Sequence, residues 1–485
     1  MKLTKYNFLF LALLMTFGSC DDAIDIIQPG ELGADAAFQT VEDLQLGLNN
    51  AYFGLNTEQA IEISSFFTDE TSLGIENSGQ NIPLLQFQLN SVSNIPSNLW
   101  LNNYTTINDV NRVLEASNTI TIQEGEQEQF NDILGQLYAI RAAEYFELLT
   151  YFSTDITDDN ALGVMKLDFV PKTTDQLPRV SNGEIFSLIE SDLALARNLI
   201  DPIRSNAIFI TVDFITALEA RIALYRGNNS LAQTRAQQLI EIFPLANRVQ
   251  YEALFADVST IGIIYRGERN QSDAAGPIAA NYYFRNAGIT GGAFMEIGRA
   301  LFNQLNVDDI RFDVLVQEDS QIDPDYQTND GSNDILLIGK YEGSDGQPLL
   351  NDYKYFRVAE MYLILAEAQA KQNDFAGAAA TLKTLRDARF IAPTALDTYT
   401  SQNEALTAVL NERRIELAFE GHRYVDLKRL APVLNIDVDR DPIDCEPFNA
   451  CILGADQFFK FTFPIPESEL AGNSAIRGQQ NPGYN

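Results

Sequence analysis

The chain has 485 residues, with 33 Lys plus Arg against 67 Asp plus Glu and a formal net charge of −34. A field of that sign opposes nucleic acid and anionic lipid surfaces, whose phosphates need a basic patch. With one His and three Cys, a zinc site of Cys and His is nearly excluded, and any His-dependent triad would have to rest on His422.

Lys2 and Lys5 precede an apolar run from Phe8 to Phe17, about ten residues and too short to span a hydrocarbon core as a helix. Residues 1–19 therefore read as a signal peptide and 20–37 as an N-terminal tether. Phe17-Gly18-Ser19-Cys20 resembles the lipobox of bacterial lipoproteins, with Phe17 where Leu is usual, which makes Cys20 the candidate lipidation site. The alternative is an ordinary cleaved leader with an incidental Cys. Asp21, Asp22 and Asp25 resemble the surface-export signal of Bacteroidetes lipoproteins.

The body is dominated by helical periodicity. Trp100, Tyr104, Ile107, Asn111 and Leu114 form one stripe, so the only Trp is assigned to the core. Further helices are predicted over about Asn131 to Phe152 and Asn182 to Ile200. Two segments then repeat a pattern. Ala220 and Ala232 are twelve apart, with Leu239 seven further on and a Gly227-Asn228-Asn229 turn; Ala366, Ala378 and Leu385 keep the same spacing around Asn373-Asp374. Small residues at these points let antiparallel helices approach closely, as in tetratricopeptide (TPR) pairs. Helix pairs are expected at about 97–152, 182–244, 353–390 and 403–430, within one domain over 38–485.

Long stretches without helical period interrupt the pairs, notably Asp69–Ser97, insertions within 266–351, and 435–460. They are rich in turn-forming residues, and loops of this length are often functional. Glu412, Glu416 and Glu420 form a like-charged stripe that is expected to lean on the interleaved Arg413, Arg414 and Arg423, with Gly421 ending the helix. A catalytic acid pair served by His422 is the lesser reading, because no nucleophile or metal set lies nearby. Cys445 and Cys451 either pair, as an exported setting allows, or remain two buried thiols. Asp437, Asp439 and Asp441 have EF-hand spacing, but Pro442 stands where Gly is needed; a solvated acidic loop is preferred over an irregular structural calcium site. No other metal or cofactor is indicated.

From Tyr353 the sequence becomes specific. Tyr353 to Ala368, Asn411 to Arg429, Phe463-Pro464-Ile465-Pro466 and Gln480-Asn481-Pro482-Gly483-Tyr484 together resemble the SusD/RagB family of outer-membrane nutrient-binding lipoproteins. The resemblance implies a mainly α fold, with TPR-like pairs forming a right-handed superhelical scaffold that carries irregular loops. It also implies a surface role without catalysis: capturing glycan for a SusC-like TonB-dependent transporter, with a lipid anchor in the outer membrane. Capture of a peptide or other nutrient by the same lid is the alternative.

Sugar rings ask for aromatic platforms with polar side chains around them. The loops offer Phe67, Asp69 and Asn77, flanked by Phe66, Glu70 and Gln80; then Tyr265, Arg266, Tyr282, Tyr283, Phe284 and Arg285, with Asn281; and Tyr341. Three consecutive aromatics cannot all enter one core, so at least one of Tyr282, Tyr283 and Phe284 is expected to be exposed. The acidic field favours an uncharged glycan over a polyanion.

Overall fold

Each predicted apolar stripe becomes the buried face of a long helix. The computed structural model describes residues 37–269, 282–286, 288–289, 291–326, 328, 331–344 and 350–484. The expected signal peptide, Cys20, nearly all of the expected tether and Asn281 lie outside the described residues. Helices α1 (Val41–Ala51), α2 (Glu58–Phe67), α3 (Asn94–Ser117) and α4 (Gln127–Phe152) pack together. Trp100 lies in this core, its ring against Phe152 and Tyr104 with centroids 4.8 and 4.9 Å away, and its indole N–H donates to Glu469 at 3.2 Å. Helix α5 (Asn182–Leu199) covers α4.

The two repeats are superimposable in their hydrogen bonding. In the first, α6 (Val212–Tyr225) turns into α7 (Asn229–Ile242); in the second, α8 (Val358–Lys371) turns into α9 (Phe375–Asp387). Gly227 and Asn373, at the same offset, both take left-handed backbone, with φ of 77° and 63°. The next residue donates its N–H five residues back, Asn228 to Ala223 at 2.8 Å and Asp374 to Gln369 at 2.9 Å. Its side chain then caps the second helix, Asn228 on the Leu231 N–H and Asp374 on the Gly377 N–H. Ala220, Ala232, Ala366 and Ala378 are all fully buried, which lets α7 lie directly on α8. Beyond them stand α10 (Gln402–Glu416) and α11 (Arg423–Leu434).

Helix α10 ends at Glu416, earlier than Gly421. The chain then makes a tight turn with Phe419 at φ 64° and Gly421 at φ 85°. A Cβ on Gly421 would stand 2.8 Å from the Ala60 Cβ, so the turn can pass beneath α2 only with glycine there. The charge network also differs from expectation. Glu416 is held by Arg357 and Arg389, and Glu420 by Arg357 and Lys340. Arg413 serves Asp426, while Arg414 and Arg423 serve Asp69. Neighbouring positions on a helix point about 100° apart and do not face one another, so the glutamates find partners from distant segments.

Sheet is sparse among the described residues. Three antiparallel pairs join β1 (Thr71–Leu73) to β5 (Met295–Ile297), β2 (Leu162–Met165) to β3 (Arg179–Ser181), and β4 (Ile263–Gly267) to β6 (Tyr353–Arg357). They tie the insertions to the helical body. No described helix is long and apolar enough to cross a membrane.

Candidate ligand-binding pocket

Isolated bridges beside β5 gather three loop segments. Arg285 pairs with Ala293, Glu296 with Leu337, and Val316 with Ile338. Between them opens a pocket of about 270 Å³ lined by Tyr283, Phe284, Arg285, Gln317, Tyr341 and Glu342 over a floor of Ala293, Met295, Leu337 and Ile338. Tyr283 and Tyr341 stack with centroids 5.8 Å apart and planes 20° apart. Their hydroxyls are fixed behind the pocket: Tyr283 shares a 2.6 Å hydrogen bond with Ser65, and Tyr341 donates to the Phe419 carbonyl at 3.0 Å. The rings are thus held in place by backbone and buried hydroxyl contacts, as a stacking platform requires.

The rim is polar. Arg285 donates to the Gln317 amide oxygen at 2.9 Å and pairs with Asp319 at 2.7 Å, so its charge is largely met within the protein. Burial raises the Glu342 carboxyl, reinforced by Glu318 and Asp319 and opposed by Arg285. An apolar, aromatic base beneath amide, guanidinium and carboxyl groups suits a ring with an apolar face and hydroxyls at its edge.

Four of the ten predicted site residues meet here: Tyr283, Phe284, Arg285 and Tyr341. Tyr282 and Tyr283 are buried and Phe284 is half-buried against Phe294, so none of the three is fully exposed. Tyr282 instead packs its edge on Phe66. Phe67 is walled in by Phe87, Tyr424 and Phe461, and Tyr265 by Phe214 and Tyr355; both are core residues with no face left for a ligand. Asp69 is a buried ion-pair partner of Arg423 and Arg414, and Glu70 accepts the Phe419 N–H while burial raises it to about 8. Asn77 is buried apart from the pocket lining, and Arg266 is spent on Asp352 and Glu268. Gln80 is exposed. Gln317 and Glu342 were not singled out in the sequence, because only the Val316–Ile338 bridge brings them to the aromatics.

The acidic loop is satisfied internally. Asp437 accepts from the Val438 and Gly454 N–H groups, Asp439 from Arg414, and Asp441 caps Ile443. Among the described residues no group of three or more His, Cys, Asp and Glu is arranged to hold a metal ion. Cys445 and Cys451 are joined by a disulfide.

Two family models match the chain, one described as the SusD family over residues 339–484 and one as starch-binding, associating with the outer membrane, over 31–212. It belongs to the SusD family. This SusD-family chain is 24% identical to SusD-like protein P2 of Formosa agariphila, covering 99% of the chain and all of that relative. Its fold is also that of a SusD superfamily protein from Bacteroides thetaiotaomicron, at 20% identity and a TM-score of 0.77, over 91% of the chain and 100% of that structure. A putative sugar binding protein from Bacteroides vulgatus is similar at 22% identity and a TM-score of 0.73, covering 93% and 100%. The mainly α scaffold is shared with these two solved structures, and starch binding with outer-membrane association is what the model matching residues 31–212 describes.

Proposed function

We propose that this protein is a lipid-anchored, surface-facing glycan-binding protein of the outer membrane that captures a neutral oligosaccharide or polysaccharide and delivers it uncleaved to a SusC-like TonB-dependent transporter. The observation that carries the reading is the stacked Tyr283–Tyr341 pair set beneath a polar rim in one open pocket. Signal, lipobox and family models support the location, and the net charge of −34 supports an uncharged cargo.

Affinity gels and calorimetry with neutral glucans, neutral fructans, uronic-acid polymers and peptides test it. Retention by a neutral glycan, lost on Phe284→Ala with an unchanged melting temperature, is the expected outcome. Binding only to a uronic-acid polymer overturns the neutral cargo, binding only to peptide overturns the glycan, and release of cleaved product overturns the absence of catalysis.

A further inference from the structure

A second cavity, enclosing about 70 Å³, lies between α4, α6, β6 and the turn into α11, and shares no lining residue with the first. That is room for several water-sized groups. Its walls include Phe146, Tyr151, Tyr225 and Tyr355, and it contains the chain's single His, His422.

The charges around it are unequal in their pairing. Arg221 gives two hydrogen bonds of 2.7 Å to Glu360 and one of 3.0 Å to the Tyr355 carbonyl. Lys354 is held by Asp257, and Glu420 by Arg357 and Lys340. Glu147 receives a single hydrogen bond, from the Asn103 amide to Oε2 at 3.0 Å. Its Oε1, the Tyr151, Tyr225 and Tyr355 hydroxyls and the His422 imidazole have no hydrogen-bond partner among the described residues. Burial first, then Glu147, Tyr225 and Tyr355, hold the Tyr151 hydroxyl well above its ordinary value, which sets these groups around one space. Burial lowers His422 to about 4, so its imidazole is neutral and offers an acceptor nitrogen.

We infer that this cavity is a second binding site, for a primary ammonium group. Its N–H bonds match the carboxylate, hydroxyl and imidazole acceptors, its charge meets Glu147, the lining carboxylate that forms no ion pair among the described residues, and aromatic faces attract cations. A quaternary ammonium has no N–H to give, and a carboxylate ligand would meet Glu147. Glu144, one turn away on α4, is raised well above the usual carboxyl range by burial and by Glu147. Burial raises Glu147 to about 7 against the Asn103 hydrogen bond and Arg221; a bound ammonium favours the carboxylate and so releases a proton near neutral pH. This site does not depend on the glycan reading.

Because His422 is the only His, labelling histidine in the mature protein places one imidazole reporter in the cavity. Titration with methylammonium chloride at constant ionic strength is expected to shift that resonance saturably. Tetramethylammonium should bind at least about 10-fold more weakly and methanol not at all. Glu147→Gln should abolish the shift with the melting temperature retained, and Tyr355→Phe should weaken it. Separate titrations with glucosamine and lysine methyl ester tell an amino sugar from a peptide amine as the source. No saturable shift in the wild type, or equal affinity in Glu147→Gln, overturns the assignment; should Glu147→Gln fail to fold, an unchanged affinity in Tyr355→Phe does so.

Discussion

Arg423 grips Asp69 across 354 residues of chain, its Nε and Nη2 donating to the two carboxylate oxygens at 2.7 and 2.8 Å. Burial alone would raise Asp69, but Arg414 and Arg423 hold it well below the usual carboxylate range. Glu367 and Glu416 are displaced the same way, against burial, by Arg429 with Lys371 and by Arg389 with Arg357. A carboxyl depressed in the folded state adds stability that is complete above its unfolded value of about 4 and is lost as pH falls below it. Acid unfolding is therefore expected to be cooperative below about pH 4 by circular dichroism. Asp69→Asn, which strands Arg423 in the interior, should cost about 3–5 kcal/mol in urea unfolding. Equal stability at pH 7 and pH 3 would contradict the first expectation.

The TPR-like pairs make a second expectation. Ala220 and Ala366 stand at equivalent, fully buried helix contacts. Leu at either position forces the helices apart, and each substitution should cost about 1–3 kcal/mol. Leu231, on the outer side of α7 and 38% exposed, provides the comparison: Leu231→Ala should stay within about 0.5 kcal/mol.

Helices were readable from the sequence because their signal is local: the stripe of Trp100, Tyr104 and Ile107 and the Ala spacing of the repeats each sit within one or two helices. The two turns were readable for the same reason, since Gly227 and Asn373 announce left-handed backbone. The pocket was half readable. Composition marked the loops that carry Tyr283 and Tyr341, but not which aromatic faces a cavity; Phe67 and Tyr265 look identical in sequence and are core. Gln317 and Glu342 carry no local mark, because their position depends on a bridge between segments. The partners of Glu416, which come from Arg357 and Arg389, were hidden by the same kind of distance.

The Cys445–Cys451 disulfide closes a short loop. Loop-entropy reasoning allows about 2 kcal/mol for such a closure. Reduction, or the double Cys→Ser change, should lower the melting temperature by a few degrees without unfolding the protein. Free-thiol titration under native and reducing conditions checks that the bond is present.

Glu342 makes the pocket rim selective if the glycan reading holds. With Glu318 and Asp319 nearby and Arg285 already paired, a uronate meets repulsion that a hydroxyl does not. Glu342→Gln is expected to raise affinity for uronic-acid oligosaccharides several-fold, on the order of 1 kcal/mol, and to change neutral-glycan affinity less. Calorimetry on both ligand classes reads this directly, and unchanged uronate affinity would remove Glu342 from that role.

The C-terminal motif acts as a clasp on β2 and β3. Arg179 donates to the carbonyls of Gly163, Phe152, Leu162 and Gln479 and to the Asn481 side chain. Asn481 in turn donates to the Phe152 and Phe463 carbonyls at 2.8 and 2.7 Å. Burial lowers Arg179 to about 10; it forms no ion pair among the described residues, and the carbonyl dipoles carry its charge. Asn481→Ala removes two buried hydrogen bonds and one acceptor for that guanidinium, which should cost about 2–4 kcal/mol. Gly478→Ala, two residues from the motif's start and with open space around its added Cβ, should stay near wild type. If Asn481→Ala matched Gly478→Ala in denaturant unfolding, Arg179 would hold the terminus through backbone carbonyls alone, and the asparagine would need another explanation.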